Sequence, residues 1–188
     1  VAARSLLGPS SSADPILVVN GDAFLDVRAE AAAELVAAHA RTEALATLWL
    51  SSDLRHAEIA NVRVATDGRI LRIAGRPTSG AEGSPAAYLG VQAIDDRFIA
   101  LLERRCGDRQ ACSRDDGWIP ILESGGHLQG ADLGGAAYDL GTPARLIDAH
   151  IALARDAGRL TGYPERQPGV FSQDPIPAGL TVTPPVVL

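Results

Sequence analysis

The sequence predicts an α/β fold, a sheet flanked by helices, and three observations carry that prediction. A short continuous apolar run, Ile16-Leu17-Val18-Val19, stops abruptly at Asn20-Gly21-Asp22; a run of this kind bounded by turn residues suits a strand buried on both faces. Residues 29 to 41 then repeat apolar positions at helical spacing, with Leu35, Val36 and His39 near one face and Glu30 and Glu34 on the other. A second apolar run, Thr47-Leu48-Trp49-Leu50 within 44 to 51, restores the strand period, so the intervening helix reads as a crossover between neighbouring strands.

Further along, Val62, Val64, Ile70 and Ile73 flank Asp67-Gly68, a dipeptide that favours a tight turn, and 61 to 74 is expected to form a β-hairpin. Residues 88 to 94 read as a strand, 96 to 105 as a helix, and 117 to 124 as a short helix closed by Gly125-Gly126. Residues 128 to 138 form a Gly-rich strand pair leading to Asp139. The longest helix is expected from Pro143 to Gly158, through Leu146, Ile147, His150, Ile151 and Leu153. Thr142 suits its N-cap and Pro143 its first position. Pro and Gly dominate from Gly158, so 159–178 reads as a linker, and 179–188 closes the chain on Pro184-Pro185-Val186-Val187-Leu188. No internal repeat is visible.

At 188 residues, with 46% apolar and 21% charged side chains, the chain is an ordinary globular one, long enough for one substantial core. All 17 basic residues are arginine, a pattern consistent with a high-GC coding bias, and the net charge is -6. Without a basic cluster a duplex-binding surface is not expected, whereas a small anion could still be held by local donors or a metal. Cys106 and Cys112 lack the further Cys or His of a zinc site and read as incidental thiols, with a loop disulfide as the alternative. His39, His56, His127 and His150 show no ligand spacing. No apolar stretch is long enough to span a bilayer and no signal peptide opens the chain, which makes the cytoplasm the expected compartment.

Two acidic residues stand out by location. Asp22 follows a strand directly and Asp139 lies between a strand and a helix start, so carboxylates at neighbouring strand ends could share one divalent ion. By themselves both also suit a turn former or a helix cap.

Four segments then recur in order: Val18-Val19-Asn20-Gly21-Asp22 with Asp26, Gly75-Arg76-Pro77 after the hairpin, Tyr88-Leu89-Gly90-Val91, and Tyr138-Asp139-Leu140-Gly141-Thr142-Pro143. In that order and rough spacing, over residues 1 to 158, they resemble the sugar-phosphate nucleotidyltransferases. That family includes mannose-1-phosphate guanylyltransferases and the glucose- and N-acetylmuramate-1-phosphate nucleotidyltransferases. The resemblance implies a Rossmann-like mixed sheet and transfer of a nucleotidyl group from an NTP to a sugar 1-phosphate, giving an NDP-sugar and pyrophosphate. It also implies that Asp22 and Asp139 are catalytic and hold Mg²⁺, and that Asn20, Gly21, Arg76, Gly90 and Thr142 meet substrate. Asp26 reads as a helix cap. Expected partners are the NTP and the sugar 1-phosphate, with room for self-association, and neither nucleic acid nor membrane.

The chain departs from the family in two places. Where many members carry Glu-Lys-Pro, here stands Gly75-Arg76-Pro77; Arg can replace Lys as a phosphate donor, but the sugar-reading Glu is gone. The family's Gly-rich signature, Gly-x-Gly-Thr-Arg-Leu followed by Pro-Lys, cradles the triphosphate and has no counterpart here. The expectation is therefore a partial catalytic domain over 1–158, lacking its N-terminal nucleotide-binding unit and inactive alone, with 179–188 as the start of a left-handed β-helix. Both ends read as those of a fragment. The alternative is a catalytically silent, nucleotide-sugar-binding or regulatory homologue.

Overall fold

The computed structural model describes residues 15–26, 28, 30–52, 61–78, 82–155, 164–172, 174–179, 181–182, 184 and 186–187. Its strands are β1 (Ile16–Val19), β2 (Ala23–Asp26), β3 (Ala46–Ser51), β4 (Val62–Val64), β5 (Ile70–Ile73), β6 (Ser84–Ile94), β7 (Gln129–Asp132), β8 (Ala136–Asp139), β9 (Glu165–Gln167), β10 (Val170–Phe171) and β11 (Val186–Val187). The α-helices are α1 (Ala31–Ala40), α2 (Asp96–Cys106), α3 (Ile119–Glu123) and α4 (Pro143–Arg155); a π-helical turn, Ser113–Trp118, runs directly into α3. Two compact units result, one over 1–21 and 25–137, the other over 22–24 and 138–188.

The first unit is organised by β6. In a mixed six-stranded sheet of order β5-β4-β6-β3-β7, with β1 also on β6, β3 runs antiparallel along one edge of β6 and parallel to β7. The other edge of β6 is shared: β4 pairs with Ser84–Ala86 and β1 with Val91–Ile94, both antiparallel. Every residue of β3 is buried, because both sheet faces are covered there. Leu48 and Leu50 pack with Ile73, Phe98, Trp118 and Ile121 on one side, and Trp49 with Ala31, Leu35, Leu89 and Val91 on the other.

Local signals account for several elements. The expected hairpin forms as β4 and β5, with Gly68 at φ 85°, a backbone conformation that glycine adopts without strain. Asp95 caps α2, its carboxylate accepting from the backbone of Arg97 at 2.9 Å and Phe98 at 3.3 Å. Thr142 Oγ1 accepts from the Arg145 N–H at 3.3 Å, the N3 amide of α4, as a cap should.

Four expectations are corrected. β1 is not buried on both faces: Leu17 is 38% and Val19 51% exposed, and among the described residues β1 pairs with β6 alone. The helix between β1 and β3 does not join neighbours, because β6 lies between those two strands. Asp26 ends β2 and is not the N-cap of α1, a position Glu30 holds four residues later in the chain. β7 and β8 do not pair with each other: β7 joins β3, and β8 joins β2 in a separate two-stranded sheet.

In the second unit α4 buries Ala149 and Leu153 and leaves Leu146 and Ile147 exposed. β9 and β10 fall within 159–178, the stretch read as a linker, and β10 pairs in parallel with β11, Val170 opposite Val186. Among the described residues no helix is long and apolar enough to cross a membrane.

Candidate functional site

Along the shared edge of β6, the C-terminal end of β1 and the N-terminal end of β4 approach each other, and the edge forks between them. β6 carries a bulge at this point. Its register with β3 passes from Leu48 opposite Gln92 to Leu50 opposite Tyr88, and Gly90, at φ 84°, lies in the extra segment. The Asn20 N–H donates to the Gly90 carbonyl at 2.8 Å. A Cβ on Gly90 would also lie 3.3 Å from that of Asn20. Gly90 is thus required by the bulge and by Asn20 lying against it, without invoking a ligand.

A cavity of about 450 Å³ opens at this fork, within the first unit. Val18 comes from β1 and Asn20 directly follows it, Asn61 precedes β4, and Val62 and Ile73 come from the hairpin. Tyr88 and Gln92 come from β6, and Cys112, Ser113, Arg114 and Trp118 from the segment that includes the π-helical turn. Trp118 Nε1 donates to Gln92 Oε1 at 3.0 Å, and Gln92 Nε2 donates to Ser113 Oγ at 3.2 Å. The Tyr88 ring stands edge-on to Trp118, centroids 5.0 Å apart; its hydroxyl is shut off from solvent and has no partner among the described residues, and burial pushes its pKa up. Arg114 is held by Asp115. A second cavity, about 420 Å³, lies between α1 and β7, with Glu34, Arg41 and Asp132 in its lining and none of the residues singled out above.

Two other expected site residues of the first unit, Arg76 and Gly21, are not part of this lining. Arg76 follows β5, and its guanidinium meets Glu123 of α3 at 2.6 Å, the two side chains 56% and 39% exposed. Gly21 is exposed and does not take a positive φ; nothing among the described residues would meet a Cβ there. The chain's own packing therefore gives no reason for glycine at that position.

The second unit holds Asp22, Asp139 and Thr142. Asp22 is exposed, just ahead of β2, and Asp139 is the last residue of β8. The Leu140 N–H donates to the Asp22 carbonyl at 2.8 Å, so the backbones of the two acidic residues run side by side. The rings of Phe24, two residues after Asp22, and Tyr138, just before Asp139, pack at 6.1 Å. The Asp139 carboxylate lies outside the described atoms. Among the described residues no three His, Cys, Asp or Glu side chains gather as a metal cluster. Carboxylate oxygens are the donors that a hard ion such as Mg²⁺ takes, alongside waters and phosphate oxygens. Cys106 is buried and Cys112 exposed, both as free thiols.

Sequence reasoning missed Asn61, Gln92, Ser113 and Trp118. A polar Gln in an otherwise apolar strand was the one local signal available, because the fork that gathers the other three comes from long-range pairing.

Several solved structures share this arrangement of strands and helices. The inositol-1-phosphate CTP transferase from T. maritima matches with TM-score 0.53 at 18% identity, covering 77% of this chain and 56% of that one. A putative glucose-1-phosphate thymidylyltransferase from Bacillus anthracis, in complex with a sucrose, matches with TM-score 0.53 at 20% identity, over 82% and 58%. The chain has the nucleotidyltransferase fold. A UDP-glucose pyrophosphorylase from Acinetobacter baumanii agrees, with TM-score 0.56 at 17% identity over 82% and 54%. The chain therefore spans a little over half the length of the nucleotidyltransferases it matches. No family model matches the sequence, and no curated protein does either.

Proposed function

We propose that this chain carries the sugar-side and metal-side residues of a Mg²⁺-dependent sugar-1-phosphate nucleotidyltransferase. In that reaction a phosphate oxygen of the sugar 1-phosphate forms a bond to the α-phosphorus of an NTP. The α–β phosphoanhydride bond breaks, pyrophosphate leaves, and an NDP-sugar remains. The observation that carries the reading is the Leu140-to-Asp22 hydrogen bond, which sets two acidic strand ends side by side within a nucleotidyltransferase fold.

Asp22 and Asp139 would hold the Mg²⁺, which when bound supplies positive charge against the phosphates. Asn20 and Gly90 would border the sugar in the cavity at the fork, and Gly21 would leave the backbone open to a phosphate. Arg76 would donate to a phosphate in exchange for Glu123, an exposed ion pair worth no more than about 1 kcal/mol and so readily displaced. Thr142, besides capping α4, would turn its hydroxyl to substrate. We further propose that 1–158 forms part of a catalytic domain and that 179–188 begins a left-handed β-helix, a reading supported by the parallel pairing of β10 with β11.

The test is pyrophosphate release from the protein as encoded, with a panel of triphosphates and sugar 1-phosphates. Asp22→Ala and Asp139→Ala are each expected to lower it at least about 100-fold with the fold intact, since each removes half of the protein's metal ligands. Full activity in either variant would overturn the reading. The second reading, a silent nucleotide-sugar-binding homologue, draws on Gly75 at the missing Glu and on Arg76 already engaged by Glu123. Sugar binding without turnover of any pair would favour it.

A further inference from the structure

The cavity at the β6 fork contains a row of side chains whose hydrogens can be assigned by elimination. An indole N–H only donates, so Trp118 fixes the oxygen end of the Gln92 carboxamide toward itself. The nitrogen end then faces Ser113, and because an amide NH₂ only donates, Ser113 Oγ must accept. Flipping the amide would set its NH₂ against the Trp118 N–H, donor to donor, and Gln92 is only 2% exposed, so water cannot relieve the mismatch. The Ser113 hydroxyl proton is left over, with no acceptor among the described residues. The row therefore ends at the cavity on a donor of fixed polarity.

We infer that Ser113 is a specificity-determining residue, donating to an uncharged oxygen of the bound sugar, a ring hydroxyl or acetamido carbonyl oxygen. The inference rests on the proposed reading of this cavity as the sugar site. An uncharged acceptor follows from the rest of the lining. Arg114, its one charged residue, is neutralised by Asp115 through contacts of 2.9 and 3.1 Å. Apart from the Tyr88 hydroxyl, which is shut off from solvent, and the Cys112 thiol, the remaining polar groups of the lining are the carboxamides of Asn20 and Asn61, which pair with hydroxyls in either sense. About 450 Å³ also suits a single sugar ring.

The experiment is calorimetric titration of the 188-residue chain with glucose 1-phosphate, mannose 1-phosphate, N-acetylglucosamine 1-phosphate and inositol 1-phosphate. Inorganic phosphate serves as the control for binding through phosphate alone. Ser113→Ala is expected to weaken the best-bound sugar phosphate about threefold to tenfold, the value of one hydrogen bond, while inorganic phosphate binds as before. Ser113→Thr keeps the hydroxyl and should keep the affinity. Gln92→Glu is the sharper variant. A carboxylate accepts from both Trp118 and Ser113, turns the serine proton inward, and should cost as much as Ser113→Ala with Ser113 still in place. Melting curves report folding, and the two serine variants decide the matter if Gln92→Glu does not fold.

Equal binding of every probe by wild type and Ser113→Ala overturns the inference, as does wild-type failure to bind any sugar phosphate at millimolar concentration. The outcomes separate from the catalytic reading. Turnover by the protein as encoded that depends on Asp22 and Asp139 but ignores Ser113 sinks only the inference, whereas Ser113-dependent binding with no turnover by the protein as encoded sinks only the catalytic reading.

Discussion

Tyr88 places a hydroxyl where neither solvent nor a hydrogen-bond partner among the described residues reaches it, and a buried group in that state costs about 1–3 kcal/mol of desolvation. Tyr88→Phe is therefore expected to leave the urea midpoint unchanged or raise it; a loss beyond about 1 kcal/mol would mean that the hydroxyl has a partner. His39 is the second residue whose surroundings predict a measurement. It is buried, its Nδ1 lies 2.9 Å from Thr47 Oγ1, and Nε2 is 3.8 Å from Asp95. Burial lowers its pKa from 6.5, more strongly than Asp95 raises it, and Arg97 lowers it further. With the folded pKa below the unfolded one, the stabilisation is full above about pH 6.5 and is lost as the pH falls through the folded value. Thermal melts should thus drop in this range, and His39→Gln should flatten that part of the profile. The helical period placed His39 beside Leu35, but only β3 packing beneath α1 made it a buried base.

At the scale of elements, the bulge in β6 and the caps carry the testable energetics. Gly90→Ala would force a Cβ into a left-handed conformation and against Asn20, so a loss of about 1–2 kcal/mol is expected in chemical denaturation. Asp95→Ala removes the carboxylate oxygen that accepts from two N–H groups at the start of α2 and should cost about 1 kcal/mol; a neutral result in chemical denaturation would show that the cap is not made in solution. The Asp67-Gly68 hairpin, the Thr142 cap and the extent of α2 were legible because each depends on residues within one turn of the chain. The partners of β7 and β8 were not, because two short adjacent strands carry the same local pattern whether or not they pair with each other.

For the molecule as a whole, residues 1–188 by themselves are expected to release no pyrophosphate with any triphosphate, since the sequence holds no Gly-rich cradle for one. Turnover by this chain alone would show that another part of it binds the triphosphate. The order of the four motifs pointed to a nucleotidyltransferase fold, and the strand arrangement agrees with solved enzymes at 17–20% identity. Sequence by itself determined the local pieces: the strand that stops at Asn20-Gly21-Asp22, the hairpin, the helix capped by Thr142, and the acidic residues at strand ends. Only the tertiary structure decided that β6 separates β1 from β3, that β1 and β4 share one edge of it, and that a cavity opens where they part. Periodicity and capping report contacts within a turn or two, whereas the neighbours of a strand are chosen by pairings dozens of residues apart, and so Gln92, Ser113 and Trp118 meet only once the sheet is assembled.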